Sequence, residues 1–120
     1  MTGVQTCALP IYLDLWFSAA DGYVSGSHRE GSGFALIESM SCGCVPIVTD
    51  IPSFRKISGK YGFLWRPGDA ESLCAALDNA YRRIGAGTRA DIIQFAQTEH
   101  SLETVAKDML QIIQNCIRKV

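Results

Sequence analysis

The sequence predicts an α/β fold, with a parallel sheet of about three strands and helices packed against it. Short apolar runs bounded by glycine, proline or aspartate alternate with stretches whose apolar residues recur at helical spacing. Strands and helices that alternate in this way favour right-handed crossovers and a parallel sheet with helices on both faces. The chain contains no internal repeat and no long linker, so its 120 residues predict one small domain.

The first predicted elements are a short helix and a buried strand. The apolar residues between positions 12 and 20 approximate a helical stripe, which a polar, glycine-containing pair interrupts. Residues 22–25 then predict a buried strand that ends at Gly26. The loop at the carboxyl end of this strand, residues 27–32, lies where open α/β sheets collect ligands.

A second helix and a second strand follow. The apolar residues at positions 34–40 recur at helical spacing, and Gly43 can end this helix in a left-handed conformation. Residues 44–49 predict the second strand. Immediately afterwards, Ser53 can cap one short helical turn.

The rest of the chain predicts a third strand and three helices. Residues 61–65 form the strand, and a turn at 66–69 closes it. The helix that begins near Ala70 is amphipathic, and Thr88 and Ser101 can cap the two helices that follow it. The last helix carries a long apolar stripe, which must pack against another surface.

The composition excludes several classes of protein. With 48% hydrophobic and 19% charged residues, the chain is expected to be neither disordered nor embedded in a membrane, and no apolar run approaches the roughly 18 residues of a transmembrane segment. A formal net charge of −1 predicts no binding to nucleic acid. The five cysteines show neither zinc-ligand spacing nor a disulfide framework, so a reduced, cytoplasmic setting without a metal site is expected.

Two glutamates frame a glycine-containing turn that leads into an apolar helix. Glu30 and Glu38 are separated by the string Gly31-Ser32-Gly33-Phe34-Ala35-Leu36-Ile37. Its glycines allow a positive φ or close approach to a ligand, and the first helical amides are unpaired at the positive end of the helix dipole. An anion suits that position. Glu38, about one turn into the helix, could accept hydrogen bonds from two neighbouring hydroxyls, as on a ribose, and Glu30 could do so for a second sugar.

The stretch 27–43 resembles the Glu-x7-Glu signature of retaining glycosyltransferases of the GT-B fold, in the glycosyl transferases group 1 family. The flanking strings fit that family too: Ala20-Asp21-Gly22-Tyr23-Val24, Pro46-Ile47-Val48-Thr49-Asp50, Gly62-Phe63-Leu64 and Pro67-Gly68-Asp69. The likeness is close over roughly 13–84. It implies that the chain is the C-terminal portion of a GT-B C-terminal domain, a partial Rossmann-like sheet with one normally covered edge left open.

The resemblance also implies roles for individual residues. Glu38 is expected to bind the ribose hydroxyls of a nucleotide. Glu30 is the expected catalytic residue, because its position in the family lies at the donor sugar, near the reacting carbon, where it can stabilise positive charge. The remaining nucleotide-sugar-binding residues are expected to line the sugar or to offer amides to the distal phosphate: Gly31, Ser32, Gly33, Phe34 and Ala35. Many family members carry an aromatic or aliphatic residue at the position of Ser32.

The activity implied for the parent protein is transfer of a hexose from a nucleotide-diphosphate sugar to an acceptor hydroxyl, without a cofactor or metal. The acceptor site would belong to a missing N-terminal domain, so the isolated chain is expected to be inactive. Three alternatives stay open: a non-catalytic nucleotide-sugar-binding half-domain, a nucleotide-sugar epimerase of similar fold, and a purely structural fragment. Peripheral attachment of the full-length parent to a membrane is also left open.

The first eleven residues are set apart from the rest. Residues 1–11 resemble the translation of a common sequencing adapter, and they lack the basic segment and the apolar core of a signal peptide. We therefore expect a non-native segment at 1–11 and a truncated nucleotide-sugar-binding domain at 12–120.

Three further side chains have ordinary structural interpretations. His28 is expected to shape the loop that carries the first glutamate. Asp50 is expected to cap the helical turn at Ser53 rather than to touch a ligand. Trp65 is interpreted as a packing residue.

Overall fold

The computed structural model describes residues 12–119, so the interpretation of residues 1–11 lies outside the described part of the chain. Within these described residues there are three strands: β1 (Gly22–Ser25), β2 (Val45–Thr49) and β3 (Phe63–Trp65). Six α-helices accompany them: α1 (Leu13–Ala19), α2 (Phe34–Ser41), α3 (Pro52–Ser58), α4 (Ala70–Tyr81), α5 (Ala86–Glu99) and α6 (Leu102–Arg118). A 3₁₀ turn, Gly59–Tyr61, joins α3 to β3.

The three strands form one parallel sheet in the order β1-β2-β3. Gly22 pairs with Val45 across the first ladder, and Ile47 pairs with Phe63 across the second. Because every residue of β2 is buried, this strand is the centre of the sheet, and β1 and β3 are its edges within residues 12–119. The predicted α/β fold is thereby confirmed, although β3 begins two residues later than the sequence predicts.

The hydrophobic core lies between the sheet and the helices that cross it. In α2, Leu36 and Met40 are four residues apart and therefore share one face, and both are completely buried. Phe54 of α3 and Ile92 of α5 are buried to nearly the same degree. Full burial of a side chain of this size stabilises the fold by roughly 1.5–3 kcal/mol, so α2 is held firmly and its amino end has a defined position.

Two of the three predicted helix caps are wrong. Ser53 and Thr88 lie inside α3 and α5, and neither helix has a side-chain cap. Helix α3 begins instead at Pro52, which suits the first helical position because an amide there needs no partner. The cap at Ser101 is confirmed, since its hydroxyl accepts a hydrogen bond of 3.1 Å from the Thr104 amide.

Helix α6 exposes its apolar stripe. None of the residues that the structure describes in α6 is buried, and several large apolar side chains face solvent: Leu102, Val105, Met109, Leu110, Ile112, Ile113 and Ile117. The predicted packing partner of this stripe is therefore not found within residues 12–119. In the same range, no helix has both the length and the apolarity that crossing a bilayer requires.

Helix α4 is capped by a charged side chain. The Asp69 carboxylate accepts a hydrogen bond of 2.9 Å from the Ser72 amide, and Arg66 lies 2.7 Å from its other oxygen. The hydrogen bond from the Ser72 amide, together with the positive charge of Arg66, holds the pKa of the Asp69 carboxyl below its usual value. A depressed pKa contributes stability that is complete above the ordinary aspartate pKa and is lost as the pH falls through the folded-state value.

We therefore expect Asp69→Asn, which keeps a good capping residue but removes the charge, to lower the Tm at neutral pH. The difference from the parent chain should shrink as the pH is lowered. Thermal unfolding at a series of pH values measures this, with Asp78→Asn as the control because Asp78 pairs only with an exposed arginine on the same helical stretch. A Tm difference that does not change with pH would contradict the assignment.

Candidate functional site

The turn before α2 requires glycine at one position. Gly33 adopts φ 62°, in the left-handed region, and precedes the first residue of the helix. A Cβ at this position would lie 2.4 Å from Cδ1 of Ile57, so a side chain here would also force the end of the Ile57 side chain to shift. Gly31 has no positive φ, and a Cβ added there would meet no atom within 4 Å. Of the two glycines in the motif, only Gly33 has a backbone conformation that favours glycine.

The amino end of α2 presents free amides. The helical hydrogen-bond ladder starts with the Ile37 amide, which donates to the Gly33 carbonyl at 3.1 Å. Within residues 12–119, no acceptor binds the amides of Phe34 and Ala35, and both residues are exposed. These are the amides that the sequence analysis assigns to a phosphate. Unpaired amides at the positive end of a helix attract anions.

Glu30 already places a carboxylate beside this helix end. Its Oε1 accepts a hydrogen bond of 3.3 Å from the Gly33 amide, an interaction that the helix dipole favours. Among residues 12–119, the Gly33 amide is therefore paired, whereas the amides of Phe34 and Ala35 are not.

Glu38 lies one turn further on, beside a groove between α1 and α2. The groove encloses about 410 Å³. Its lining comprises Leu13, Asp14, Phe17, Ile37, Glu38, Ser41 and Cys42. Neither Glu30 nor the glycines of the turn reach this groove. The two glutamates therefore occupy neighbouring positions at α2, one at the tip of the helix and one on its α1 flank, and they do not line one common cavity.

Arg89 of α5 joins the two helices that form the groove, and sequence analysis missed it. Its guanidinium donates to the Ala20 carbonyl at 2.9 Å, to the Cys42 carbonyl at 3.0 Å and to the Ser18 carbonyl. These carbonyls lie at the carboxyl ends of α1 and α2, where a cation is also favoured by the helix dipoles. No local pattern reveals such a contact, because Arg89 is 47 residues from its nearest partner.

The nearby Cys44 behaves as an ordinary packing residue. Cys44 is completely buried, and its thiol donates to the Phe17 carbonyl at 3.1 Å. Burial raises the pKa of this thiol, which keeps it protonated and unreactive. No three His, Cys, Asp or Glu side chains of residues 12–119 lie close enough together to hold a metal ion.

Two other polar residues, Asp50 and His28, lie near the carboxyl ends of the strands. Asp50 accepts hydrogen bonds of 2.8 and 2.6 Å from the Arg55 guanidinium. The prediction that Asp50 caps α3 is therefore wrong, because the Asp50 carboxylate binds the side chain of Arg55, one turn into that helix. His28 is exposed in the loop between β1 and α2.

Trp65 packs at the carboxyl end of β3, as the sequence analysis expects, and also carries an unexpected feature. The residue is 8% exposed, and its ring reaches the start of the loop between β1 and α2. A Cβ on Gly26 would lie 3.3 Å from Cη2 of the indole. The indole Nε1 is buried, and no acceptor among residues 12–119 pairs with it.

Comparison with known proteins identifies the family. The sequence profile of the glycosyl transferases group 1 family matches residues 7–83. The O-antigen chain mannosyltransferase B of Escherichia coli is 27% identical over 95 residues, which cover 74% of this chain and 25% of that protein. The GDP-mannose:cellobiosyl-diphosphopolyprenol alpha-mannosyltransferase of Xanthomonas campestris is 38% identical over 58 residues, which cover 48% of this chain and 13% of that protein.

The protein of the same description from Xanthomonas oryzae pv. oryzae is 42% identical over 43 residues, which cover 36% of this chain and 11% of that protein. The chain thus spans at most a quarter of the length of these curated relatives. No solved structure gives a significant match. The family profile covers more than half of the chain and agrees with the parallel sheet and its flanking helices. The chain therefore belongs to the glycosyl transferases group 1 family, and its sheet is a partial Rossmann-like domain of the GT-B fold.

Proposed function

We propose that this chain forms the donor site of a retaining hexosyltransferase, which moves a sugar from a nucleotide diphosphate to an acceptor hydroxyl. The observation that carries the proposal is the pair of free amides at Phe34 and Ala35, beside Glu30, in a family of sugar transferases. The three relatives are named as mannosyltransferases, and two are named for GDP-mannose. We therefore propose mannose as the hexose and GDP-mannose as the donor.

The charges along α2 support one orientation for the donor. The free amides at the helix tip suit the diphosphate, because they lie at the positive end of the dipole. The groove beside α1 contains two carboxylates, Asp14 and Glu38. Carboxylates accept hydrogen bonds from hydroxyls and repel phosphates, so we place the ribose and base in the groove, the phosphates at the helix tip, and the sugar beyond them at Glu30.

The proposed chemistry depends on stabilising the leaving group. The bond between the anomeric carbon and the phosphate oxygen breaks, and its electron pair stays on the diphosphate. The amides of Phe34 and Ala35 donate to that growing negative charge, and preformed donors of this kind are effective because they need no reorganisation. The acceptor oxygen bonds to the anomeric carbon from the same face, and its proton passes to the departing phosphate oxygen. Glu30 holds sugar hydroxyls and stabilises the positive charge on the ring.

The acceptor site is proposed to lie in a part of the enzyme that this chain does not include. The curated relatives are at least four times as long as the segment that matches. Donor binding should therefore be measurable on the 120-residue chain, whereas transfer is proposed only for the longer parent enzyme.

Glu38→Gln is the test of the donor orientation. The change removes a charged acceptor whose hydrogen bonds each contribute about 1.5–3 kcal/mol, while the amide oxygen keeps part of the interaction. We expect the Kd for GDP-mannose to rise about tenfold, measured by isothermal titration calorimetry on the 120-residue chain. Glu71→Gln is the matched control, because Glu71 is an exposed acid in the first turn of α4. Equal affinity in the Glu38 variant and the parent chain would remove ribose recognition from the proposal.

Glu30→Gln in the intact parent enzyme separates transfer from binding alone. Removing this carboxylate from the helix tip should leave GDP affinity unchanged or improved, because a negative charge next to the phosphates disappears. The rate of mannosyl transfer should fall, because the ring charge loses its stabiliser. An intact enzyme that binds GDP-mannose but transfers no sugar to any acceptor would instead favour a non-catalytic nucleotide-sugar-binding protein.

A further inference from the structure

The indole N–H of Trp65 is a buried hydrogen-bond donor without a partner among residues 12–119. Buried polar groups are paired in the great majority of cases, so an unpaired one needs an explanation. The residue is 8% exposed, so solvent does not readily take the place of an acceptor. A phenylalanine would fill much of the same space without leaving a donor unpaired. The N–H therefore stays buried at a cost that packing alone does not explain.

The ring of Trp65 points toward the loop that carries Glu30. Trp65 pairs in register with Thr49 of the central strand, and the far end of its ring lies next to the space in which a side chain at Gly26 would stand. The Cβ position at Gly26 lies 3.3 Å from Cη2 and 3.5 Å from Cζ2. Cζ2 is bonded to Cε2, the carbon that also bears Nε1, so the N–H lies two bonds from a ring atom that approaches this loop.

Oxygen acceptors are present in the loop. The Ser27 carbonyl accepts a hydrogen bond from the Thr49 hydroxyl, which ties the loop to the residue of β2 that pairs in register with Trp65. Each carbonyl has two lone pairs, so Ser27 and the following residues keep acceptor capacity. None of these oxygens bonds to Nε1 in the loop conformation described here.

We infer that Trp65 is a positioning residue of the donor site, whose Nε1–H donates to a carbonyl of the loop 26–32 once a sugar diphosphate binds at the start of α2. This inference rests on the proposed function. An indole N–H is a donor only, so the group orders the loop and takes no part in proton transfer. Ordering the loop holds Glu30 at the sugar.

Nuclear magnetic resonance of the 15N-labelled chain tests the inference directly. The sequence contains two tryptophans, so the spectrum should show two indole N–H signals, and Trp65→Phe assigns them. On titration with GDP-mannose, the Trp65 indole proton should move downfield because it gains an acceptor. The signal of Trp16, which is 61% exposed, should not move and serves as the internal control.

Affinity and stability give the second readout. Trp65→Phe should weaken GDP-mannose binding about fivefold, the loss expected for one neutral hydrogen bond. Its Tm in the absence of donor should change little, because removal of an unpaired donor offsets the packing lost with the smaller ring. Trp16→Phe, the matched control, should change neither the affinity nor the Tm.

The outcomes that would overturn the inference differ from those that would overturn the proposed function. If GDP-mannose shifts the amides of Phe34 and Ala35 while the Trp65 indole signal stays in place, the inference is wrong and the proposed function stands. A Trp65→Phe variant with a much lower Tm and unchanged affinity would likewise assign Trp65 to packing alone. If no amide between positions 30 and 38 responds to GDP-mannose, the proposed function itself fails.

Discussion

Replacing Arg89 by methionine is expected to lower the free energy of unfolding by about 2–4 kcal/mol. The guanidinium donates to three backbone carbonyls at the ends of α1 and α2, and hydrogen bonds to charged groups are the stronger ones. Methionine fills a similar space but donates to none of them. Water can rehydrate the outer carbonyl, which keeps the loss below the sum of three separate bonds. Urea unfolding of the parent chain and the variant measures the difference.

Arg82→Met is the matched control for that experiment. Arg82 pairs with Asp78 at 2.9 Å on the surface at the end of α4, where both side chains are mostly exposed. Exposed pairs of this spacing contribute about 0.3–0.5 kcal/mol, so the control should be nearly neutral. Arg89→Lys should lie between the two, because an ammonium keeps the charge but does not reach all three carbonyls. An Arg89→Met variant as stable as Arg82→Met would show that α5 does not hold α1 and α2 together.

Gly33→Ala is expected to lower the free energy of unfolding by about 2 kcal/mol and to weaken donor binding about tenfold or more. The left-handed conformation at φ 62° alone costs an alanine about 1–2 kcal/mol. The added methyl would also lie 2.4 Å from Cδ1 of Ile57, so either the Ile57 side chain or the start of α2 must shift. Because the strained φ acts on the backbone directly before α2, we expect the amides of Phe34 and Ala35 to shift, which spoils their alignment on the diphosphate. Urea unfolding and calorimetric titration with GDP-mannose measure the two effects.

Gly31→Ala is the control, two residues away in the same turn. Gly31 has no positive φ and no neighbour that a Cβ would meet. Its replacement should change the stability by less than about 1 kcal/mol, in either direction, and should weaken the binding of GDP-mannose much less than Gly33→Ala does. If Gly31→Ala weakens donor binding as much as Gly33→Ala, the flexibility of the turn matters more than the fixed direction of the α2 amides.

The caps show where prediction from local sequence fails. A serine or threonine before an apolar stretch is a good cap wherever a helix begins, but it does not decide where the helix begins. Helix α3 starts at Pro52 and α5 at Ala86, so Ser53 and Thr88 lie inside them. Helix α6 begins at Leu102, directly after Ser101, so the serine is at the capping position and the cap forms as predicted.

Residue order alone determined the α/β alternation, the parallel sheet, the glycine-containing turn before α2 and the family motif, because each depends on spacings of a few residues along the chain. Tertiary structure decided the rest. Only the folded chain brings Arg89 to the ends of α1 and α2, brings the Trp65 ring to Gly26, and separates Glu30 at the helix tip from Glu38 in its groove. These contacts depend on how the strands and helices pack in three dimensions, and the spacing of residues along a short segment does not predict that packing.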